Sequence, residues 1–137
     1  MEMVVDFPGG DRVDAHFGPY TVETDQTNEK GEPGSAPMPF DLFLASIATC
    51  AGIYVLGFCK QRNLPMEGLK IIQRSHRNHQ TGMVEGIDIE IQIPAGFPEK
   101  YLPPLIRSAE LCAVKKHLEK PPVINVFTQS VASIEVP

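Results

Sequence analysis

Polar and apolar residues alternate most regularly in the second half of the chain, at residues 83–93. From residue 87 to residue 93 every second position is an isoleucine and the positions between are acidic or amide side chains; the isoleucines are Ile87, Ile89, Ile91 and Ile93. A period of two puts the isoleucines on one face of a β-strand and the polar residues on the other. Residues 69–76 read as a preceding strand, and residues 78–82 as the turn between them. We therefore expect a hairpin with one buried face.

A second pattern is the uncharged run at residues 42–59 (LFLASIATCAGIYVLGFC). Its length predicts a helix that begins near Pro39, where proline suits the first turn, and ends near residues 62–63 before Pro65. A helix that is apolar on all sides is buried either in a protein interior or in a membrane. A small domain can hardly surround such a helix, so we expect it to lie at a subunit interface.

The same run reaches the lower length limit for a membrane span, roughly 18 residues. Small and hydroxylated residues dilute its hydrophobicity on several faces; they are Ser46, Thr49, Gly52 and Gly57. Residues of this kind suit close packing of helices in a protein interior. We therefore prefer a buried interface helix to a membrane helix.

The remaining segments complete an α+β pattern. Three short strands are predicted before residue 25, and a Gly- and Pro-rich polar loop follows at 25–38. Residues 98–120 read as a helical region that Pro103 and Pro104 divide, with its main helix at about 105–118. A last strand is predicted at 123–136. The order β-β-β-α-β-β-α-β predicts one α+β domain over residues 1–137, with antiparallel sheets and two helices.

The charge, the first residues and the cysteine count of the chain argue against several classes of protein. The chain has 137 residues, a net charge of −5 and no polybasic block, which argues against nucleic-acid binding. The first residues, MEMVVDFPGG, do not resemble a secretory signal. The 3 cysteines cannot all pair, so a disulfide-stapled secreted fold is not expected. We expect a cytoplasmic protein with reduced thiols.

The cysteines are the main candidates for chemistry. Cys50 and Cys59 are nine positions apart, which at about 100° per residue puts them on opposite faces of the predicted helix. Only one of them can face Cys112. Small residues flank Cys50 and leave room for a reactant, whereas Cys59 reads as an apolar filler. Lys115 and Lys116 follow Cys112 by one helical turn and are expected to favour its thiolate.

Two thiols that meet can reduce a peroxide in two steps. One thiolate attacks the O–O bond and becomes a sulfenic acid, and the other condenses with it to a disulfide. His76 and His79 have the spacing H-x-x-H, but they straddle a predicted strand end and turn, where the two rings do not converge. We therefore expect no metal site, and we read the basic residues around His76 as a solvated strand face.

The cysteine motifs resemble those of the OsmC/Ohr family. The stretch PFDLFLASIATC, which ends at Cys50, is similar to the family's first cysteine helix. The stretch CAVKKHL, which begins at Cys112, is similar to its second cysteine motif, usually Cys-Pro-Val. The separation of the two motifs and the order of strands and helices also match, so the resemblance covers nearly the whole chain.

The resemblance implies an intertwined homodimer with two active sites at its interface. It implies reduction of organic hydroperoxides, and in some members of hydrogen peroxide, as part of oxidative-stress defence. Cys50 would be the peroxidatic cysteine and Cys112 the resolving one. No metal or organic cofactor is implied. Electrons would come from an external dithiol, which is a lipoylated protein in the Ohr branch.

Three positions depart from the family pattern. Ala113 stands where the family often has proline. In Ohr members a glutamate follows the proline that opens the helix and helps to position a catalytic arginine, whereas here Phe40 has that position and Asp41 comes next. This arrangement resembles the OsmC-like branch typified by YhfA. Arg12 is the candidate for the catalytic arginine, although Asp11 offsets it from the Gly-Gly turn; the alternative is a solvated cation at a strand edge.

Two other functions compete with a peroxide reductase. In the first, the interface cavity binds a small apolar ligand and the thiols are idle. In the second, the protein is a thiol-based redox sensor with slow turnover. The sequence favours the enzyme, because two cysteine motifs occur together.

Overall fold

The computed structural model describes residues 1–132 and is an α+β fold with two antiparallel sheets. Strands β1 (Val4–Gly9), β2 (Arg12–Phe17) and β3 (Tyr20–Thr24) form a three-stranded meander in sequence order. Gly9 and Gly10 turn the chain between β1 and β2 with φ values of 138° and 59°, which suit glycine. Every residue of β1 is exposed. The three predicted strands are confirmed, each within two residues.

Helix α1 (Pro39–Gln61) follows the polar loop and is the longest element. Pro39 takes the first helical position, and the Asp41 carboxylate accepts a hydrogen bond from the backbone N–H of Met38 at 3.0 Å. This contact satisfies a donor near the helix start and sets an acid against the positive end of the helix dipole. The predicted bounds of this helix are confirmed.

The second sheet is the predicted hairpin of β4 (Lys70–Arg77) and β5 (Val84–Gln92). Its turn closes where the Asn78 N–H donates to the Met83 carbonyl at 2.8 Å. Across the strands, Arg74 pairs with Glu90 and His76 with Asp88, both at 2.6 Å and both exposed. The basic residues here therefore form a solvated strand face, as expected.

The second helical region is divided differently from the prediction. A short 3-10 helix (Glu99–Tyr101) leads into α2 (Leu102–Glu110), and α3 (Ala113–Glu119) follows after a break. Pro103 and Pro104 do not divide the region, because they lie in the first turn of α2, where a missing N–H costs little. The break lies instead at residues 111–112. The described chain thus has three α-helices, where two were predicted.

The strand predicted at 123–136 is wrong for the residues that the structure describes. Residues 121–132 have no regular secondary structure, and residues 133–136 lie outside the described part. The apolar side chains here are 81–93% exposed, namely Val123, Ile124, Val126, Phe127 and Val131. A strand forms only with a partner strand, and this segment pairs with none of the described strands.

The hydrophobic core lies where α1 crosses α2 and the hairpin. Val55, Phe58 and Cys59 of α1 contact Leu105 of α2 and Phe97 of the preceding loop. Gln73 of β4 donates a hydrogen bond to the Leu44 carbonyl at 2.9 Å, which ties the hairpin to α1. These contacts hold α1 in place against α2 and the hairpin.

Candidate active site at two cysteines

The break between α2 and α3 brings Cys112 to Cys50. Cys112 is the N-cap residue of α3, and its sulfur accepts a hydrogen bond from the Lys115 N–H at 3.5 Å. Cys50 lies in the middle of α1, half-buried, whereas Cys112 is 2% exposed. The two side chains lie close enough that the Cys112 thiol lowers the pKa of Cys50, and both thiols are free. The structure thus joins the two cysteines that the sequence singled out.

The surroundings of the two thiols differ in a way that matters for chemistry. The pKa of Cys50 is lowered, chiefly by the backbone N–H of Val114, then by the Cys112 thiol and the N–H of Ala113, against the opposing effect of burial. The pKa of Cys112 is raised, chiefly by burial and further by the neighbouring Cys50. Cys50 therefore ionises at lower pH than Cys112.

This asymmetry corrects one expectation from the sequence. We expected Lys115 and Lys116 to favour a thiolate at Cys112, but its pKa is raised. The contribution of Lys115 is its backbone N–H, which lowers the pKa by less than burial raises it. The residues that sequence reasoning missed are Ala113 and Val114, whose backbone amides face Cys50. The sequence hardly marks such amides, because every residue type except proline supplies one.

Cys59 is fully buried in the core between α1 and α2. Burial raises the pKa of its thiol, and Arg62 only partly offsets this effect. Its role as an apolar filler is confirmed.

Arg12 lies on β2, within the three-stranded sheet. Its guanidinium pairs with Asp14 at 2.6 Å and with Glu23 at 3.3 Å. Asp14 is the main cause of the raised pKa of Arg12. Arg12 is not among the groups that shift the pKa of Cys50. Its role in activating Cys50 therefore stays a prediction.

An apolar cavity of about 470 Å³ opens beside Cys112. Most of its lining is aliphatic and comes from α1, β5 and α2; it includes Ile47, Ala51, Ile87, Ile89, Ile91 and Ile106. Ile87, Ile89 and Ile91 of β5 line the wall of the cavity. Within the described chain the face that they share is not buried as predicted, because Ile87 and Ile91 are half-buried and Ile89 is exposed. Glu110 and Lys115 supply the only charged groups of this lining. The cavity can hold an apolar molecule next to the sulfur pair.

Metal chemistry finds no support in residues 1–132. No three His, Cys, Asp or Glu side chains converge in this part of the chain in a way that could hold an ion. His76 instead contacts Asp88 at the exposed hairpin.

Comparison with known proteins identifies the family of the chain. A family model described as OsmC-like protein matches residues 31–127, which include Cys50 and Cys112 but not Arg12. The chain belongs to the OsmC-like family. No curated protein sequence matches it significantly. The branch within the family stays a prediction.

Solved structures of OsmC-like and other proteins share the fold. One is named for an osmotic stress induced and detoxification response in Psychrobacter arcticus (21% identity, 83% of this chain and 85% of that chain, TM-score 0.68). A second is an OsmC-like protein from Mycoplasma pneumoniae (11% identity, 88% and 87%, TM-score 0.69). A third is an organic hydroperoxide resistance protein OsmC and predicted redox protein from Legionella pneumophila (18% identity, 86% and 89%, TM-score 0.53). At these identities the likeness establishes the fold alone.

Proposed function

We propose that this OsmC-like protein is a thiol-dependent peroxide reductase that acts on organic hydroperoxides. The observation that supports it best is that Cys50 and Cys112 are neighbouring free thiols, of which Cys50 has a lowered pKa and Cys112 a raised one. The apolar cavity beside Cys112 suits an apolar peroxide. The names of the Psychrobacter and Legionella proteins point to the same field of stress and redox chemistry.

The reaction takes two steps at sulfur. The Cys50 thiolate attacks the terminal oxygen of ROOH, the O–O bond breaks, and Cys50 becomes a sulfenic acid. The alkoxide takes a proton from the neighbouring Cys112 thiol and leaves as an alcohol. The new Cys112 thiolate then attacks the Cys50 sulfur and forms the disulfide, and the departing hydroxide becomes water with a proton from solvent.

The cycle closes when an external dithiol reduces the disulfide. Two thiols of the reductant become its own disulfide, and Cys50 and Cys112 return to the thiol form. A lipoylated protein is a reductant of this class. The cytoplasm, where thiols are kept reduced, is the compartment that suits this chemistry.

The active unit in this proposal is a homodimer with α1 at its centre. The helix has a mean hydropathy of 2.1 over 18 residues, yet only 28% of that window is buried within the described chain. Its length and composition alone would also allow a membrane span. Two features favour a protein partner instead. One is the exposed row of residues along α1 that includes Ala45, Thr49 and Ile53, here called the uncovered stripe. The other is the set of exposed apolar side chains at 121–132.

The uncovered stripe of α1 consists of small or aliphatic residues. Thr49 and Ile53 are exposed at its middle, and Ala45 one turn before. The hydroxyl of Thr49 donates to the Ala45 carbonyl at 2.8 Å, and that of Ser46 donates to the Phe43 carbonyl at 2.6 Å. Because both hydroxyls already donate hydrogen bonds within the helix, a second helix can cover the stripe without leaving a buried polar group unpaired. The apolar side chains of 121–132 would be covered by the same partner.

Turnover with cumene hydroperoxide and a dithiol tests the proposal. We expect wild-type protein to consume peroxide and Cys50→Ser to be inactive. We expect Cys112→Ser to stop at a sulfenic acid that dimedone can trap, and Cys59→Ser to keep full activity as the matched control. A disulfide without turnover would indicate a redox sensor. Thiols that stay reduced in peroxide would indicate a binding protein.

A further inference from the structure

The mouth of the cavity beside Cys112 has the composition of a protein docking surface. Several residues that line the cavity are exposed and therefore surround its mouth; they are Ile89, Ile106, Glu110, Lys115 and Leu118. Ile106 of α2 and Leu118 of α3 have 54% and 49% of their surface exposed. Exposed apolar side chains with charged residues around them are typical of surfaces that bind another protein.

Helix α3 supplies a positive charge next to this mouth. Lys115 and Lys116 lie in the helix and Lys120 is its C-cap residue, and all of them are exposed. Residues 113–120 contain these three lysines and one acid, Glu119, which gives a net charge of +2 in a chain whose net charge is −5. Among the described residues, no carboxylate pairs with any of the three lysines. An acidic partner can therefore pair with them without breaking an existing ion pair.

The cavity lies on the side of α1 that faces away from the uncovered stripe. Ile47 and Ala51 line the cavity, whereas Thr49 belongs to the stripe. Residues two apart on a helix point to nearly opposite sides, because each residue turns the helix by about 100°. A second protomer that covers the stripe would therefore leave the cavity mouth and α3 accessible to another protein.

The cavity leads to Cys112 rather than to Cys50. Cys112 is one of its lining residues, and Cys50 is not. The pKa of Cys50 is lowered and that of Cys112 raised, and in thiol–disulfide exchange the thiol of lower pKa is the better leaving group. Position and leaving ability therefore agree that a reductant should attack the Cys112 sulfur of a Cys50–Cys112 disulfide.

We propose that the reductant is an acidic protein that carries a dithiol, and that it docks on α3 at the cavity mouth and attacks the Cys112 sulfur. Opposite charges speed the encounter of two proteins, and Ile106 and Leu118 provide apolar contact area. The inference rests on the proposed function only for the Cys50–Cys112 disulfide. It does not depend on the oxidant, because diamide can be used to form the same disulfide.

The reduction has two steps. One thiolate of the reductant attacks the Cys112 sulfur, the disulfide bond breaks, and Cys50 leaves as a thiolate. The second thiol of the reductant loses its proton and attacks its own sulfur in the mixed disulfide. Cys112 then leaves as a thiolate and takes up a proton, while the reductant is left with an internal disulfide.

Three synthetic dithiol peptides test the docking surface. They share two cysteines and differ only in their flanking residues, which are glutamate, glutamine or lysine. Stopped-flow mixing with diamide-oxidised protein gives a reduction rate for each peptide, divided by its rate with hydroxyethyl disulfide to correct for thiol reactivity. We expect the glutamate peptide to be fastest and the lysine peptide slowest, with the difference shrinking as salt is added. The net charge of the whole chain alone would give the reverse order.

A pair of double variants locates the surface. Lys116→Gln/Lys120→Gln should slow the glutamate peptide by about three- to tenfold relative to the glutamine peptide at low salt, given the strength of exposed ion pairs. Lys60→Gln/Lys70→Gln is the matched control, because it removes the same charge from exposed positions away from α3; it should have little effect. A lysine peptide that is fastest with wild-type protein would overturn the proposal, as would an equal loss in both double variants.

A peptide with glutamate flanks and a single cysteine identifies the attacked sulfur. After alkylation with iodoacetamide, peptide mapping should find the mixed disulfide at Cys112 and the alkyl group at Cys50; the reverse would overturn the attack at Cys112. If diamide forms the Cys50–Cys112 disulfide but peroxide does not, the peroxide reductase is refuted, and the peptide rates still decide the docking proposal. A chain that forms no such disulfide with diamide would overturn both.

Discussion

The proposed dimer makes a quantitative prediction at Ile53. This side chain is 59% exposed in the isolated chain and lies at the centre of the uncovered stripe of α1. Full burial of an isoleucine contributes about 1.5–3 kcal/mol, so covering the exposed fraction would contribute about 1–2 kcal/mol in each protomer. A two-fold dimer covers the residue twice, which gives roughly 2–4 kcal/mol per dimer. At about 1.4 kcal/mol per tenfold, Ile53→Ala should weaken the dimer by roughly 30- to 700-fold.

Sedimentation equilibrium over a dilution series measures this change directly. Alanine favours helix more than isoleucine does, so the substitution should not unfold α1, and circular dichroism can confirm this. Met83→Ala is the matched control, because Met83 is similarly exposed (65%) but lies at the hairpin. A wild-type chain that stays monomeric at high concentration would refute the reasoning. Equal dissociation constants for Ile53→Ala and Met83→Ala would refute it too.

Two further predictions concern the thiols and the core. Because the pKa of Cys50 is lowered and that of Cys112 raised, iodoacetamide should alkylate Cys50 at lower pH than Cys112. The Cys112 thiol helps to lower the pKa of Cys50, so Cys112→Ala should move the alkylation profile of Cys50 to higher pH. Mass spectrometry of the labelled peptides measures this shift, and an unchanged profile would contradict the effect of Cys112 on that pKa. Leu105 is 1% exposed in the core. Because alanine would leave a cavity there, Leu105→Ala should lower the free energy of unfolding by about 3–5 kcal/mol, as urea titrations can measure. The exposed neighbour Ile106 (54%) should tolerate alanine within about 1 kcal/mol, and similar losses at both positions would contradict the assignment of the core.

The pattern of apolar, polar, glycine and proline residues predicted those helices, strands and turns whose formation depends mainly on their own residues. Helix α1 is long, free of internal proline and flanked by start and stop signals, so its bounds follow from the sequence. The alternation of isoleucines specifies β5 and the face that its isoleucines share. The hairpin turn follows from polar and glycine residues between two such segments. These elements need little information from distant parts of the chain.

The features that depend on tertiary contacts could not be predicted in the same way. Residues 111–112 contain neither glycine nor proline, so the sequence shows no break between α2 and α3. The break nevertheless makes Cys112 an N-cap and turns the amides of Ala113 and Val114 toward Cys50. The segment after residue 123 has the composition of a strand, but it pairs with no described strand of the chain. In both cases the spatial neighbours decide the local structure.

The central claim is that Cys50 and Cys112 form one redox pair. Peptide mapping by mass spectrometry after one equivalent of cumene hydroperoxide tests it most directly, with Cys59 as the internal reference. We predict a disulfide between Cys50 and Cys112 and an unmodified Cys59. Oxidation of Cys59, or Cys50 and Cys112 both still alkylatable after the peroxide is consumed, would contradict the account.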